Sequence, residues 1–167
     1  TFVIMAAASL ALAKAIRHEF GLSALIQWPN DVFIGDKKVA GTTLELSADK
    51  GRIRYGLIGI GVDVNLSVEK AMPSLSDIVT SLSDELGHDV ERAKFFAVFL
   101  KEFERRYTMI LKGETEPLFR EWRSLSHTLH RRVRIRTLHE GFDGEAIDID
   151  ERGERSISAS FRGRTRP

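Results

Sequence analysis

Between residues 23 and 65 short apolar runs alternate with turn residues at intervals too close for helices, and this pattern constrains the fold more than anything else in the chain. Ala24-Leu25-Ile26 and Val32-Phe33-Ile34 are runs of strand type, and Gly35-Asp36 punctuates the turn that follows. Pro29 lacks an N–H and pushes Trp28 toward an extended conformation. The ladder is therefore expected to break there and turn Asn30 and Asp31 outward from a strand end. The run 42–46 and the run from Ile53 onward continue the β pattern, with 47–51 as a polar turn between them. The segment reads as strand, bend, strand, hairpin, strand, about four strands in all. Its last run, Leu57 to Asn65, contains Gly59 and Gly61, which expose backbone on one face.

The rest of the chain is mostly helical. Phe2 to Ala13 is almost wholly apolar, and Ala11-Leu12-Ala13 resembles a signal-peptidase site. No basic segment precedes it, and Leu12, Ile16 and Phe20 continue a helical spacing to Gly21 as the C-cap, so a buried helix is expected. The run also falls short of the roughly 20 apolar residues that span a bilayer. Residues 66–74 read as a loop and 76–86 as a helix ended by Gly87. A long helix should run from Asp89 as N-cap to Lys112, with Phe96, Leu100, Phe103, Tyr107 and Ile110 as its core stripe. Thr115 should cap a shorter helix that buries Leu118, Phe119, Trp122 and Leu125. After Ser126 the period changes to two, with Val133 and Ile135 and then Ile147 and Ile149 alternating with charged residues, so a small β appendage is expected. The stretch from Arg152 to Pro167 fits neither periodicity.

Composition excludes several classes. The chain has 167 residues, enough for a sizeable core, and a formal net charge of +1, so no strong global field recruits nucleic acid or anionic membrane. It has no cysteine, which removes disulfides, thiolate metal sites and a cysteine nucleophile and is compatible with the cytoplasm. His127 and His130 lie three apart without a carboxylate at matching spacing, and no metal ligands are assigned. Gly59-Ile60-Gly61 lacks the third glycine and following helix of a dinucleotide loop. The arginines of the C-terminal stretch have few aromatic companions for base stacking, so no nucleic-acid partner is assigned.

Taken singly, Asn30 and Asp31 after a proline are ordinary turn formers and Lys38 an ordinary solvated hairpin lysine. Their combination carries more. Trp28-Pro29-Asn30-Asp31, then Lys38-Val39-Ala40-Gly41 with Glu45 just beyond, then Gly59-Ile60-Gly61-Val62-Asp63-Val64-Asn65, resembles the catalytic domain of biotin protein ligase, the biotin–[acetyl-CoA-carboxylase] ligase family. The resemblance runs from about Phe2 to about Asp150.

The resemblance implies an α+β fold: a mixed or antiparallel sheet with packed helices, of the class II synthetase-like biotin/lipoate ligase type. It divides the chain into a catalytic domain over 1–126 and a partial SH3-like domain over 127–167. It implies ATP-dependent ligation of biotin to a lysine of a biotin carboxyl carrier domain through biotinyl-5′-AMP, with Mg²⁺ accompanying ATP. Lys38 takes the catalytic role and, with Gly41, Gly59 and Gly61, binds biotin; Trp28, Asn30, Asp31, Asp63 and Asn65 stand on the nucleotide side. Ligases of this type often pair through sheet edges, so a homodimer is among the implied partners, and a membrane is not. Two departures are visible. Asp63 stands where the family usually has Asn, placing an acceptor that repels phosphate. The family's Arg-rich loop would precede Thr1, so the expectation is a piece of a longer ligase that is poorly active alone. The alternatives are a lipoate or octanoyl transferase relative and a non-catalytic ligand- or protein-binding module.

Overall fold

A computed structural model of the chain describes residues 2–50, 52–136, 141–150 and 155–159. Helix α1 (Phe2–Phe20) ends at Gly21, whose φ of 68° and N–H to the Arg17 carbonyl (3.0 Å) make the expected left-handed cap. Six alanines of α1, at 6, 7, 8, 11, 13 and 15, are fully buried. Their small side chains let α1 touch β1 (Ala24–Gln27), β2 (Asp31–Ile34) and β3 (Lys37–Asp49) as well as α4 (Arg92–Leu111) and α5 (Thr115–Ser124). With β4 (Arg52–Val62) the strands form one antiparallel sheet in the order β1-β2-β3-β4. The α+β class and the strand, bend, strand, hairpin order match the expectation, although β3 runs on to Asp49, so the turn is shorter than 47–51.

Trp122 and Phe119 of α5 are fully buried, and the Trp122 indole N–H donates to Ser9 Oγ at 3.2 Å, which satisfies the one polar atom of that ring. Behind them Arg106, only 1% exposed, donates to Glu102 and Glu121, and Lys14 reaches the same Glu121 at 2.7 Å. These contacts tie α1, α4 and α5 together around paired charges.

Several boundaries differ from the sequence reading. The stretch 66–74 holds a short helix, α2 (Val68–Ala71), and a 3-10 turn (Pro73–Leu75) rather than loop alone. The helix read over 76–86 shrinks to α3 (Leu82–Leu86), because Ser81 Oγ caps Asp84 N–H and residues 78–80 instead pair with Lys38. Helix α4 begins at Arg92 after Glu91, not after Asp89, and Thr115 is the first helical residue of α5 rather than its cap.

The stripe of α4 is a larger correction. Phe95 and Phe99 are the buried rings, and Phe95 packs on Phe20 with centroids 5.5 Å apart. Phe96, Leu100 and Tyr107 are 58%, 46% and 43% exposed, while Phe103 and Ile110 are partly buried. Two apolar stripes lie one residue, about 100°, apart around this helix, and periodicity alone could not say which one α1 would cover.

The C-terminal part forms a second antiparallel sheet, β5 (Arg132–Arg136), β6 (Gly141–Ile149) and β7 (Arg155–Ala159). Strand β7 lies in the stretch that showed no periodicity; the rest of that stretch, with its arginines at 162, 164 and 166, is outside the described residues. Asp148 of β6 pairs with Arg123 of α5 at 2.9 Å, and Arg123 also donates to the Ile149 carbonyl. That contact seats the second sheet against α5.

Candidate functional site

Strand β3 slips register against β2 between Val32, which faces Ala40, and Phe33, which faces Lys38, so Val39 is left without a partner. Val39 and Ala40 both turn inward and are buried, and the bulge therefore puts Lys38 on the same outer side as Gly41. The Lys38 backbone is fixed from both directions: its N–H donates to the Ile78 carbonyl (2.9 Å) and its carbonyl accepts from Thr80 N–H (2.8 Å). Its ammonium meets Asp31 Oδ1 at 2.7 Å. That pair lies over Gly41, where an added Cβ would stand 2.8 Å from Asp31 Oδ1 and 3.1 Å from Lys38 Nζ. Glycine is needed here for the room it leaves, not for an unusual backbone angle.

Across the ladder Gly41 faces Gly61, and Thr43 faces Gly59. Nothing lies within 4 Å of a Cβ built on Gly61, whereas one on Gly59 would meet Thr43 Oγ1 at 2.5 Å. The glycines thus differ: Gly61 opens on free space, Gly59 accommodates a threonine, and Gly41 accommodates an ion pair. Thr43 was missed in the sequence, though the two-residue alternation from Gly41 would have placed it on this face.

Asn30, Asp31, Lys38, Gly41, Gly59, Gly61 and Asp63 all line one open cavity of about 670 Å³. Asn30 holds the turn closed around it, its side-chain amide donating to the Thr42 carbonyl and its own carbonyl accepting from Thr42 N–H at 3.0 Å. Asp63 is anchored through its backbone to Val39 and Leu82. Burial pushes its carboxyl above the ordinary carboxylate value, an effect the Lys38 ammonium partly opposes. Among the described lining residues one ammonium therefore faces two carboxylates.

Two residues expected on the nucleotide side, Asn65 and Trp28, do not line this cavity. Asn65 uses both ends of its amide on the backbone of Val90, donating at 2.9 Å and accepting at 2.8 Å, which fixes the approach to α4. Trp28 is partly buried against the core, and its N–H donates to Thr128 Oγ1 at 3.3 Å; the Trp28–Pro29 peptide is cis. An aromatic ring and an amide in a motif look alike in sequence whether they face a ligand or the core.

Among the described residues no group of three His, Asp or Glu could hold a metal ion. The oxygen donors this cavity would offer a divalent ion are the carboxylates of Asp31 and Asp63. Among the described residues no helix is long and apolar enough to cross a membrane.

Residues 1–63 match the biotin/lipoate A/B protein ligase family. The chain is 35% identical over 146 residues to the bifunctional ligase/repressor BirA of Bacillus subtilis, an alignment covering 87% of this chain and 45% of that protein. It is 28% identical over 149 residues to the biotin–[acetyl-CoA-carboxylase] ligase of Paracoccus denitrificans, covering 87% and 62%. The chain thus spans about half the length of the curated relatives it matches. Its fold is that of biotin protein ligase from Aquifex aeolicus, solved in complex with biotin and ATP, with a TM-score of 0.80, 21% identity, and coverage of 96% of this chain and 68% of that one.

Proposed function

Because the chain belongs to the biotin protein ligases of the biotin/lipoate A/B protein ligase family, we propose that it supplies the reaction chamber of an ATP-dependent ligase. That ligase joins biotin to a lysine of a biotin carboxyl carrier domain through biotinyl-5′-AMP. The single observation that carries the reading is that the Lys38 ammonium and the bare backbone of Gly61 open on one cavity.

In the first step a biotin carboxylate oxygen bonds to the α-phosphorus of ATP and the bond to the bridging oxygen of pyrophosphate breaks. Negative oxygens gather as this happens, and a fixed cation beside them lowers the barrier. Lys38 is that cation: Asp31 and the backbone clamp from residues 78–80 hold it in place before substrate arrives. In the second step the amine of the carrier lysine attacks the mixed anhydride and AMP leaves. The Gly61 side takes the apolar biotin rings, while Asn30, Asp31 and Asp63 lie toward the nucleotide. Mg²⁺ enters with ATP and offsets the charge that two carboxylates would otherwise repel. Turnover by this chain alone is low on this reading, because among the described residues that line the cavity one ammonium faces two carboxylates, and even with Mg²⁺ that leaves a triphosphate short of positive charge. The second sheet corresponds to the SH3-like part of 127–167, a second copy pairs through sheet edges, and the compartment is the cytoplasm.

Biotin-dependent exchange of labelled pyrophosphate into ATP tests the proposal. Exchange with biotin and none with lipoate is expected. Exchange driven by lipoate would move the chain to the lipoate branch, and binding of biotin without exchange in the longer protein would make it a ligand-holding module.

A further inference from the structure

His127 plays no part in the chemistry above, yet its side chain touches residues on both sides of the junction between the two sheets. Its backbone N–H donates to the Ile26 carbonyl at 2.8 Å, which lays residues 125–127 beside β1. Its ring, 13% exposed, stacks on Phe33 with centroids 5.5 Å apart and planes 22° from parallel. Nδ1 stands 3.0 Å from Gln27 Oε1, and Nε2 stands 2.9 Å from Arg131 Nη1. The Gln27 oxygen can only accept and the guanidinium can only donate. One neutral tautomer satisfies both, with the proton on Nδ1 and the lone pair of Nε2 toward Arg131. Asp36 Oδ1 lies 3.4 Å from Nε2 and 3.9 Å from Arg131 Nη1.

The partners of this ring bracket the cavity's working residues. Gln27 immediately precedes the 28–31 turn that carries Asn30 and Asp31; Phe33 is the cross-strand neighbour of Lys38; Asp36 sits in the turn two residues before Lys38. Arg131, in turn, is held to the second sheet: its carbonyl accepts from Ala146 N–H at 3.1 Å, and His130 N–H donates to the Ala146 carbonyl at 2.8 Å. A continuous set of hydrogen bonds and one ring stack therefore runs from β6 through Arg131 and His127 to Gln27 at the end of β1 and to Phe33 of β2, the residue that faces Lys38 across the ladder.

We propose that His127 and Arg131 are a positioning couple through which the seating of the second sheet sets the geometry of the 28–31 turn and the Lys38 hairpin. The catalytic half of this proposal rests on the role assigned to Lys38; the structural half does not.

Three substitutions in the longest available form of the protein test it. R131M removes the donor from a half-exposed residue; H127F keeps a ring on Phe33 but loses both hydrogen bonds; H127Q keeps an acceptor for Arg131. Amide hydrogen exchange is followed at Lys38, whose N–H donates to the Ile78 carbonyl and so reports how the hairpin is seated, at Thr42, whose N–H closes the turn on the Asn30 carbonyl, and at Leu10 and Leu12 inside α1. R131M and H127F are expected to speed exchange at Lys38 and Thr42 roughly fivefold while leaving Leu10 and Leu12 unchanged, with H127Q closer to the parent. In pyrophosphate exchange they should lower kcat and leave the KM for biotin unaltered. Equal acceleration at all four amides, or none at Lys38 and Thr42, would overturn the couple. A parent protein that shows no biotin-dependent exchange would refute the ligase reading, and the amide pattern would still decide the couple.

Discussion

Replacing Gly41 by alanine separates the room a residue leaves from the fold it belongs to. A Cβ there would stand 2.8 Å from Asp31 Oδ1, about half an ångström inside ordinary contact, and 3.1 to 3.2 Å from the end of Lys38. Both neighbours are tips of flexible side chains, so they move aside rather than the strand. Gly41 has no positive φ, so alanine can take its backbone conformation. The displaced ion pair, with side chains 41% and 28% exposed, contributes about 0.2 to 1 kcal/mol after solvent screening. Alanine in place of glycine in a strand returns about 0.5 to 1 kcal/mol. The two nearly cancel, and the thermal midpoint of G41A should stay within about 3 °C of the parent. Catalysis has no such compensation. An ammonium pushed off its aim is comparable to losing one preorganised donor, so the biotin-dependent exchange rate should fall roughly a hundredfold. The assay is pyrophosphate exchange beside a melting curve on the same preparation. G41A with the parent's exchange rate, or G41A that melts more than about 8 °C lower, would refute the reasoning.

K38M should lower kcat for exchange by at least about a hundredfold with a much smaller change in the KM for biotin, because the charge acts as negative oxygen gathers; steady-state kinetics at varied biotin checks it. G59A should be destabilised through Thr43 Oγ1, and the double substitution T43A/G59A should recover that loss in chemical denaturation; failure to recover would place the clash elsewhere. The Asp63 carboxyl holds its proton more tightly in the folded chain than unfolded, so its contribution to stability is present below the ordinary carboxylate value and is lost as pH rises through the raised one. D63N should therefore gain on the parent in denaturation midpoint from about pH 4 to about pH 7, and should bind ATP more tightly at neutral pH, which titration calorimetry reads.

The sheet was legible because Pro29, Gly35-Asp36 and period-two runs each have a local cause, and the cap at Gly21 likewise. The cavity was half legible. Lys38, Gly41 and Gly61 could be picked out as a set, but the bulge at Val39 that puts Lys38 over Gly41 depends on which residues α1 buries, a tertiary matter. The motifs that Asn65 and Trp28 match place them on the nucleotide side; neither lines this cavity, since the Asn65 amide is bonded to the Val90 backbone and Trp28 packs in part against the core. His127 was weighed only against metal binding, since its partners Gln27, Phe33 and Arg131 come together through pairing of 125–127 with β1, which no local pattern announces. The face of α4 failed for a similar reason: Phe95-Phe96 and Phe99-Leu100 offer two stripes, and only the position of α1 chooses between them.

Amide resonances followed during a titration with biotin alone test the central claim most directly. The account predicts shifts concentrated at Lys38, Gly41, Thr43, Gly59 and Gly61, abolished in a G61V variant whose side chain fills the free space above that residue. Shifts centred instead on the apolar groove between β4 and α4, around Leu12, Phe95 and Phe99, would contradict it.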